Sequence, residues 1–120
     1  MSDMHYIDGF VCAVPNDQRE AYVEYSRKFG AIFREYGALS VVDAWGDDVP
    51  DGKLTSFPLA VKREANETVA FGWVARPSRA VRDAAWGRMQ SDPRFAPGNN
   101  VMPFDGKRMI FGGFQVLATS

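Results

Sequence analysis

Two carboxylates carry the first candidate chemistry of this sequence. Asp8 and Asp43 each stand in a short segment with strand-like alternation, so Asp8 shares a face with Tyr6, Phe10 and Cys12, and Asp43 shares one with Leu39, Val41 and Trp45. A carboxylate buried among aromatic side chains must find donors or give up its charge. One reading is structural, with Tyr, Trp, Arg or backbone donors satisfying both groups. The other makes Asp8 or Asp43 a general base acting on a ligand held between Trp45, Trp73 and Phe111. Tyr6 stands on the Asp8 face beside such a site, and Lys107 and Arg108 supply cations suited to an anionic ligand.

Other chemistries have less to work with. Cys12 is the one cysteine, so it forms no internal disulfide and builds no thiolate metal site by itself. A nucleophilic thiolate needs a base, and the sole histidine, His5, lies roughly 23 Å away at the far end of the same strand. The loop Asp47-Asp48-Val49-Pro50-Asp51 has oxygen ligands for a hard cation but lacks the order of a calcium hand, so no metal site is assigned. Gly112-Gly113 lies inside a strand with no Lys-Ser or Lys-Thr after it, which excludes a phosphate loop. The Asp-Gly-Lys triplets at 51–53 and 105–107 read as tight turns in which glycine supplies a positive φ. No cofactor is implied.

These residues must be positioned by six segments: strand 4–14, helix 16–36, strand 39–45, strand 68–75, helix 78–91 and strand 108–117. In the first helix Tyr22, Tyr25, Phe29, Ile32, Phe33 and Tyr36 recur at spacings of three and four, a core-facing stripe. Asn16 or Asp17 can cap it, with Glu20 completing a capping box after Asp17, and Gly37 is a natural stop. Ser78 is positioned to cap the second helix, whose inward residues are Val81, Ala84, Ala85 and Met89, and Asp92-Pro93 ends it. Between Leu54 and Lys62 the pattern allows a strand extension or a short helical turn begun at Ser56-Phe57-Pro58, and the turn is favoured. The stretch 94–105 is a long loop. The order strand-helix-strand, strand-helix-strand predicts an α+β fold: one antiparallel βαββαβ sheet with both helices on one face.

Alternation then divides the sheet into two expected faces. A small and aliphatic set, including Ile7, Gly9, Val11, Ala13, Val42, Ala44, Ala70, Gly72, Val74, Ile110 and Gly112, is expected under the helices, where small residues allow close approach. The complementary set (Tyr6, Asp8, Phe10, Val41, Asp43, Trp45, Phe71, Trp73, Phe111 and Gln115) is expected on the bare face. So apolar a face calls for cover, and a second copy of the same sheet gives a symmetric homodimer.

Composition sets the outer bounds. The chain has 120 residues, 46% of them hydrophobic and 24% charged, enough apolar material for one domain with a real core. A formal net charge of −1 with mixed charges disfavours nucleic acid and anionic membrane as partners. The N-terminal Met-Ser-Asp-Met-His has no leader character, and no apolar run approaches the roughly 20 residues of a membrane span, so the expectation is a cytoplasmic protein.

Four stretches carry a family resemblance: 6–11 (Tyr-Ile-Asp-Gly-Phe-Val), 45–53 (Trp-Gly-Asp-Asp-Val-Pro-Asp-Gly-Lys), 77–84 (Pro-Ser-Arg-Ala-Val-Arg-Asp-Ala) and 102–114 (Met-Pro-Phe-Asp-Gly-Lys-Arg-Met-Ile-Phe-Gly-Gly-Phe). With them the chain resembles the YbaA-like family of small bacterial proteins, a domain of unknown function. The resemblance spans nearly the whole chain and implies a ferredoxin-like fold of the dimeric α/β-barrel group, in which two sheets pack face to face. It brings no catalytic residues. The expected function is therefore a homodimer with a small-molecule pocket on the aromatic sheet face. The alternative is a cofactor-independent monooxygenase-like or isomerase-like enzyme acting on an aromatic or anionic metabolite, with Asp8 or Asp43 as base. Haem held through histidine is disfavoured, since His5 is the only imidazole.

Overall fold

Four strands form one antiparallel sheet: β1 (Tyr6–Pro15), β2 (Ser40–Trp45), β3 (Glu67–Arg76) and β4 (Ile110–Gln115). Their spatial order is β2-β3-β1-β4, so the two longest strands are central and the two shortest are edges. The computed structural model describes residues 3–120; Met1 and Ser2, which open the stretch assessed above for leader character, lie outside the described residues. Helices α1 (Arg19–Glu35) and α3 (Arg79–Met89) lie on the same face. Cys12 of β1 meets Tyr22 of α1, and Asp8, two alternations away on the same strand face, meets Arg82 of α3. The α+β expectation holds in this respect.

Local chemistry explains most of the boundaries. Ser78 caps α3 by accepting from the Val81 amide at 3.1 Å, and Gly37 ends α1 with φ 98°, a conformation that favours glycine. The ambiguous stretch does form a short helix, α2 (Phe57–Ala60), because Ser56 accepts from the Leu59 amide at 3.1 Å and Pro58 sits in the first turn. The expected cap of α1 is not made. A short 3-10 turn, Asn16–Gln18, precedes α1, and the Asn16 side-chain carbonyl accepts instead from the Thr68 hydroxyl, tying the turn to β3. Gly52 takes a positive φ of 68° as expected, whereas the second Asp-Gly-Lys turn is closed by Asp105 accepting from the Lys107 amide at 3.0 Å.

The register corrects the expected faces. Asp8 pairs with Val74, Phe10 with Gly72 and Phe111, and Asp43 with Gly72, and directly paired residues share a face. Tyr6, Asp8, Phe10, Val41, Asp43, Trp45 and Phe111 therefore lie on the helix side with Ala70, Gly72 and Val74. Ile7, Gly9, Val11, Val42, Ala44, Phe71, Trp73, Ile110 and Gly112 occupy the opposite, open face. The mixture is physically necessary. Small residues of the central β3, with Gly30 of α1 against Val41, bring helix and sheet close, and flanking strands supply the large rings that fill the remaining depth. A Cβ at Gly72 would run into the Phe10 ring and the Val42 carbonyl.

The open face is covered at one end only. Val61, just after α2, is buried with Val11, Ala13 and Val69, and Phe57 meets Phe71 edge to face at 5.8 Å between ring centroids. On the helix side Tyr22, Phe29 and Ile32 of the α1 stripe are buried. The segment after α3 folds back over that stripe. Phe95 packs on Phe29 at 5.2 Å, Phe104 meets Tyr25 edge to face at 5.9 Å, and the Tyr25 hydroxyl donates to Asn100 at 3.0 Å.

Candidate functional site

Rings from α1, α3 and the returning segment do not fill all the space above the sheet. A cavity of about 260 Å³ remains between them. Phe10 and Val74 form its floor, Phe29, Phe33 and Trp86 its roof, and Met102 and Phe111, both exposed, its mouth. Its walls are overwhelmingly apolar. The polar side chains among them are few and convergent: Asp8, Asp43, Arg76, Ser26 and the phenols of Tyr22 and Tyr25.

Asp8 sits between two guanidinium groups. Arg82 Nε donates to Oδ1 at 3.0 Å, and Arg76 Nη2 forms an ion pair with Oδ2 at 3.2 Å. Arg82 is held further by Asp83 at 2.9 Å and lies over the Trp86 ring at 4.2 Å. Beyond Asp8, Arg76 has the Phe33 ring 5.9 Å from its guanidinium. It is 1% exposed, and among the described residues its Nε and Nη1 meet no hydrogen-bond acceptor. Burial lowers its pKa from the ordinary value while the attraction of Asp8 opposes the shift. Arginine nevertheless stays charged under any ordinary condition. Each buried donor left unmatched costs about 1–3 kcal/mol, so the pair is an expensive feature for a fold to carry without use.

The second carboxylate has a different neighbourhood. Tyr22 donates to Asp43 Oδ1 at 2.9 Å, and the Cys12 thiol lies 4.0 Å from the Tyr22 hydroxyl. Burial pushes the Cys12 thiol up to about 11 and raises Tyr22 well above the usual phenol range, so neither is a nucleophile near neutrality. Burial also pushes Tyr25 up to about 12. Asp43 lines the cavity and also a groove beside edge strand β2, where Arg19, Arg27 and Arg34 stand.

The remaining expected site residues divide. Phe111 lines the cavity mouth, and Tyr6 lies beneath the Arg82 guanidinium at 5.4 Å. Trp45 packs on Tyr22 at 6.2 Å and lines the β2 groove rather than the cavity. Trp73 is on the open face with Phe71, which corrects the grouping of Trp45, Trp73 and Phe111 as walls of one site. The cause is the phase of β3, which pairs Trp73 with Gly9 and Val42. Arg108 is committed to structure. It makes a two-pronged contact to Glu67 at 2.6 and 2.7 Å, donates to the Lys62 carbonyl and contacts Asp105 at 3.1 Å. Those bonds hold the Glu67 carboxyl below its usual range. Lys107 is exposed in the turn before β4, and neither cation lines the cavity.

Two residues central to this arrangement, Arg76 and Arg82, escaped sequence reasoning. Arg76 precedes Pro77 and reads as the end of a strand, yet continuing β3 by one residue places it beside Tyr6 and next to Asp8. Arg82 stands one turn past the Ser78 cap, on the side of α3 facing β1.

No arrangement of three or more His, Cys, Asp or Glu side chains among the described residues is suited to a metal ion. No helix among them is long and apolar enough to cross a membrane. Residues 5–106 match the family described as "Protein of unknown function (DUF1428)". The uncharacterized protein YbaA of Escherichia coli strain K12 is 55% identical over 114 residues, spanning 95% of this chain and 97% of that protein. The uncharacterized protein YbaA of Shigella flexneri matches at the same identity and coverage. With a family match over most of its length and relatives this similar, the chain belongs to the DUF1428 family of YbaA-like proteins of unknown function.

Proposed function

We propose that this protein is a cytoplasmic small-molecule-binding domain that works as a homodimer, with the ligand in the cavity beneath the helices and a second copy on the open face of the sheet. The observation that carries the reading is a mostly apolar cavity with a buried, incompletely matched arginine in its wall. Its volume of about 260 Å³ lies just under the roughly 300–1,000 Å³ typical of ligand pockets, which suits a compact ligand. Mass spectrometry under non-denaturing conditions on protein purified without additives is the test. A bound small molecule released on denaturation supports the reading. No retained mass, and no rise in melting temperature with any apolar or amphipathic compound, contradicts it.

Homodimerisation is supported by the open face. Phe71 is 40% exposed, Ile110 44% and Phe114 62%, and they form one continuous apolar groove with Ile7 and Trp73. Contiguous apolar surface of this kind marks an interface more often than scattered single residues do. Sedimentation equilibrium tests it, with Ile110→Glu expected to convert a dimer to monomers. A wild-type monomer contradicts it.

The position of Asp43 at the cavity wall, with one oxygen taken by Tyr22, favours an enzymatic version of the same site. Asp43 would abstract a proton from the ligand, the step shared by isomerase-like and cofactor-independent monooxygenase-like chemistry. Asp8, held between Arg76 and Arg82, suits an anchoring role better than that of a base. A turnover unaffected by Asp43→Asn would remove this version.

A further inference from the structure

Resting on the reading that the cavity binds a small molecule, we infer that its ligand is a compact apolar or aromatic carboxylic acid whose carboxylate is anchored by Arg76. Three observations converge on that chemistry. First, Arg76 is among the residues that line the cavity, and no acceptor among the described residues meets its Nε or Nη1. Second, Arg76 shares its counter-charge. Asp8 serves both Arg76 and Arg82, while the other carboxylate near them, Asp83, is exposed and contacts Arg82. A cation half-matched away from water favours an anion over a neutral ligand. Third, apart from Asp8 the chamber near the guanidinium is mostly ring surface, with Phe33 5.9 Å from it and Phe10, Phe29 and Trp86 in the lining.

The shape of the anion follows from the donors. Planar guanidinium groups match carboxylates, and Arg82 is already occupied by Asp8, Asp83 and the Trp86 ring, so the unmatched guanidinium donors are those of Arg76. One anchored carboxylate with an apolar body fits. A dicarboxylate would force its second charge against aromatic walls, and a bulky phosphate ester needs more donors than the chamber presents.

The test uses the full-length protein and matched pairs of probes: benzoate, phenylacetate and 2-naphthoate, each against its own neutral carboxamide, by isothermal titration calorimetry. At least one acid is expected to bind about tenfold to a hundredfold tighter than its amide, the preference a charge-assisted hydrogen bond supplies. In Arg76→Met the acid should fall to the affinity of the amide while the amide is unchanged. Should that variant fail to fold, the wild-type side-chain Nε–H resonance of Arg76 decides. A shift on adding acid but not amide supports the anchor, and no shift overturns it. Equal binding of acid and amide overturns the carboxylate inference but leaves the cavity reading standing. Failure of every probe, charged and neutral, removes both.

Discussion

The same four strands present two faces of opposite character, and alternate residues make the difference. Under α1 and α3 the sheet carries two aspartates, a buried arginine, a phenol–carboxylate hydrogen bond and large rings around a cavity. On the other side it carries apolar side chains, several well exposed, with one end covered by α2 and Val61. A face that must bury charge is one where geometry has to be held, because each buried polar group needs its partner. A face of rings and aliphatic side chains makes no such demand and is suited to meeting another apolar surface. On the proposed function, the contrast separates a site of recognition from a site of association.

The largest effect expected from breaking the contrast comes from Asp8. Asp8→Ala leaves Arg76 and Arg82 buried without their shared counter-charge and should lower stability by about 3–5 kcal/mol in denaturant unfolding. A loss as small as an ordinary surface change would show that the covered face is not held by its charges. A paired glycine test comes next. Gly72→Ala on the helix side forces the Phe10 ring and the Val42 carbonyl apart and should cost about 1–3 kcal/mol. Gly9→Ala, one strand away on the open face, meets only ordinary contact with Phe114 at 3.7 Å and should cost nothing. Equal costs would mean that the faces are packed alike.

A smaller effect is expected in acid. The folded-state pKa of Glu67 lies below its ordinary value because Arg108 binds the carboxylate. Its contribution is therefore complete above the unfolded-state pKa of roughly 4.3 and is lost as pH falls through the lower folded-state value. Glu67→Gln should flatten this acid limb in a pH series of thermal melts, and an unchanged limb would place the linkage elsewhere. The smallest effect on subunit stability is expected on the open face. Phe114→Ser should shift denaturant unfolding measured at low protein concentration by no more than about 0.5 kcal/mol, as for an exposed position. The same change should nonetheless weaken self-association in sedimentation. A large loss of subunit stability instead would show Phe114 to be part of a core.

Elements governed by local rules were legible in the sequence. The α1 stripe from Tyr22 to Tyr36 follows from spacing, the stop at Gly37 from its backbone freedom, and the start of α3 from the Ser78 hydroxyl. The phase between strands was not legible. Alternation places Phe71 and Trp73 together, but only the pairing of Phe10 with Gly72 decides that they face away from Asp8 and Asp43. The cavity suffered for the same reason. Its aspartates and Phe111 were found as polar or aromatic exceptions on strands, whereas Arg76 looked like an ordinary charged residue at a strand end. Arg108 shows the converse, since its partner Glu67 lies 41 positions away and no local pattern reveals that contact. Asn16 fits an N-cap by type, yet the helix is entered through a 3-10 turn whose side-chain bond goes to Thr68.

The most direct test of this division between faces is a crystal structure of protein purified without added ligand, because it reports both faces at once. The account predicts density for a small molecule against Arg76 beneath the helices, and a second copy packed over Phe71, Trp73 and Phe114. Ligand density on the Trp73 face, with the chamber around Arg76 collapsed and filled by its own side chains, would contradict it.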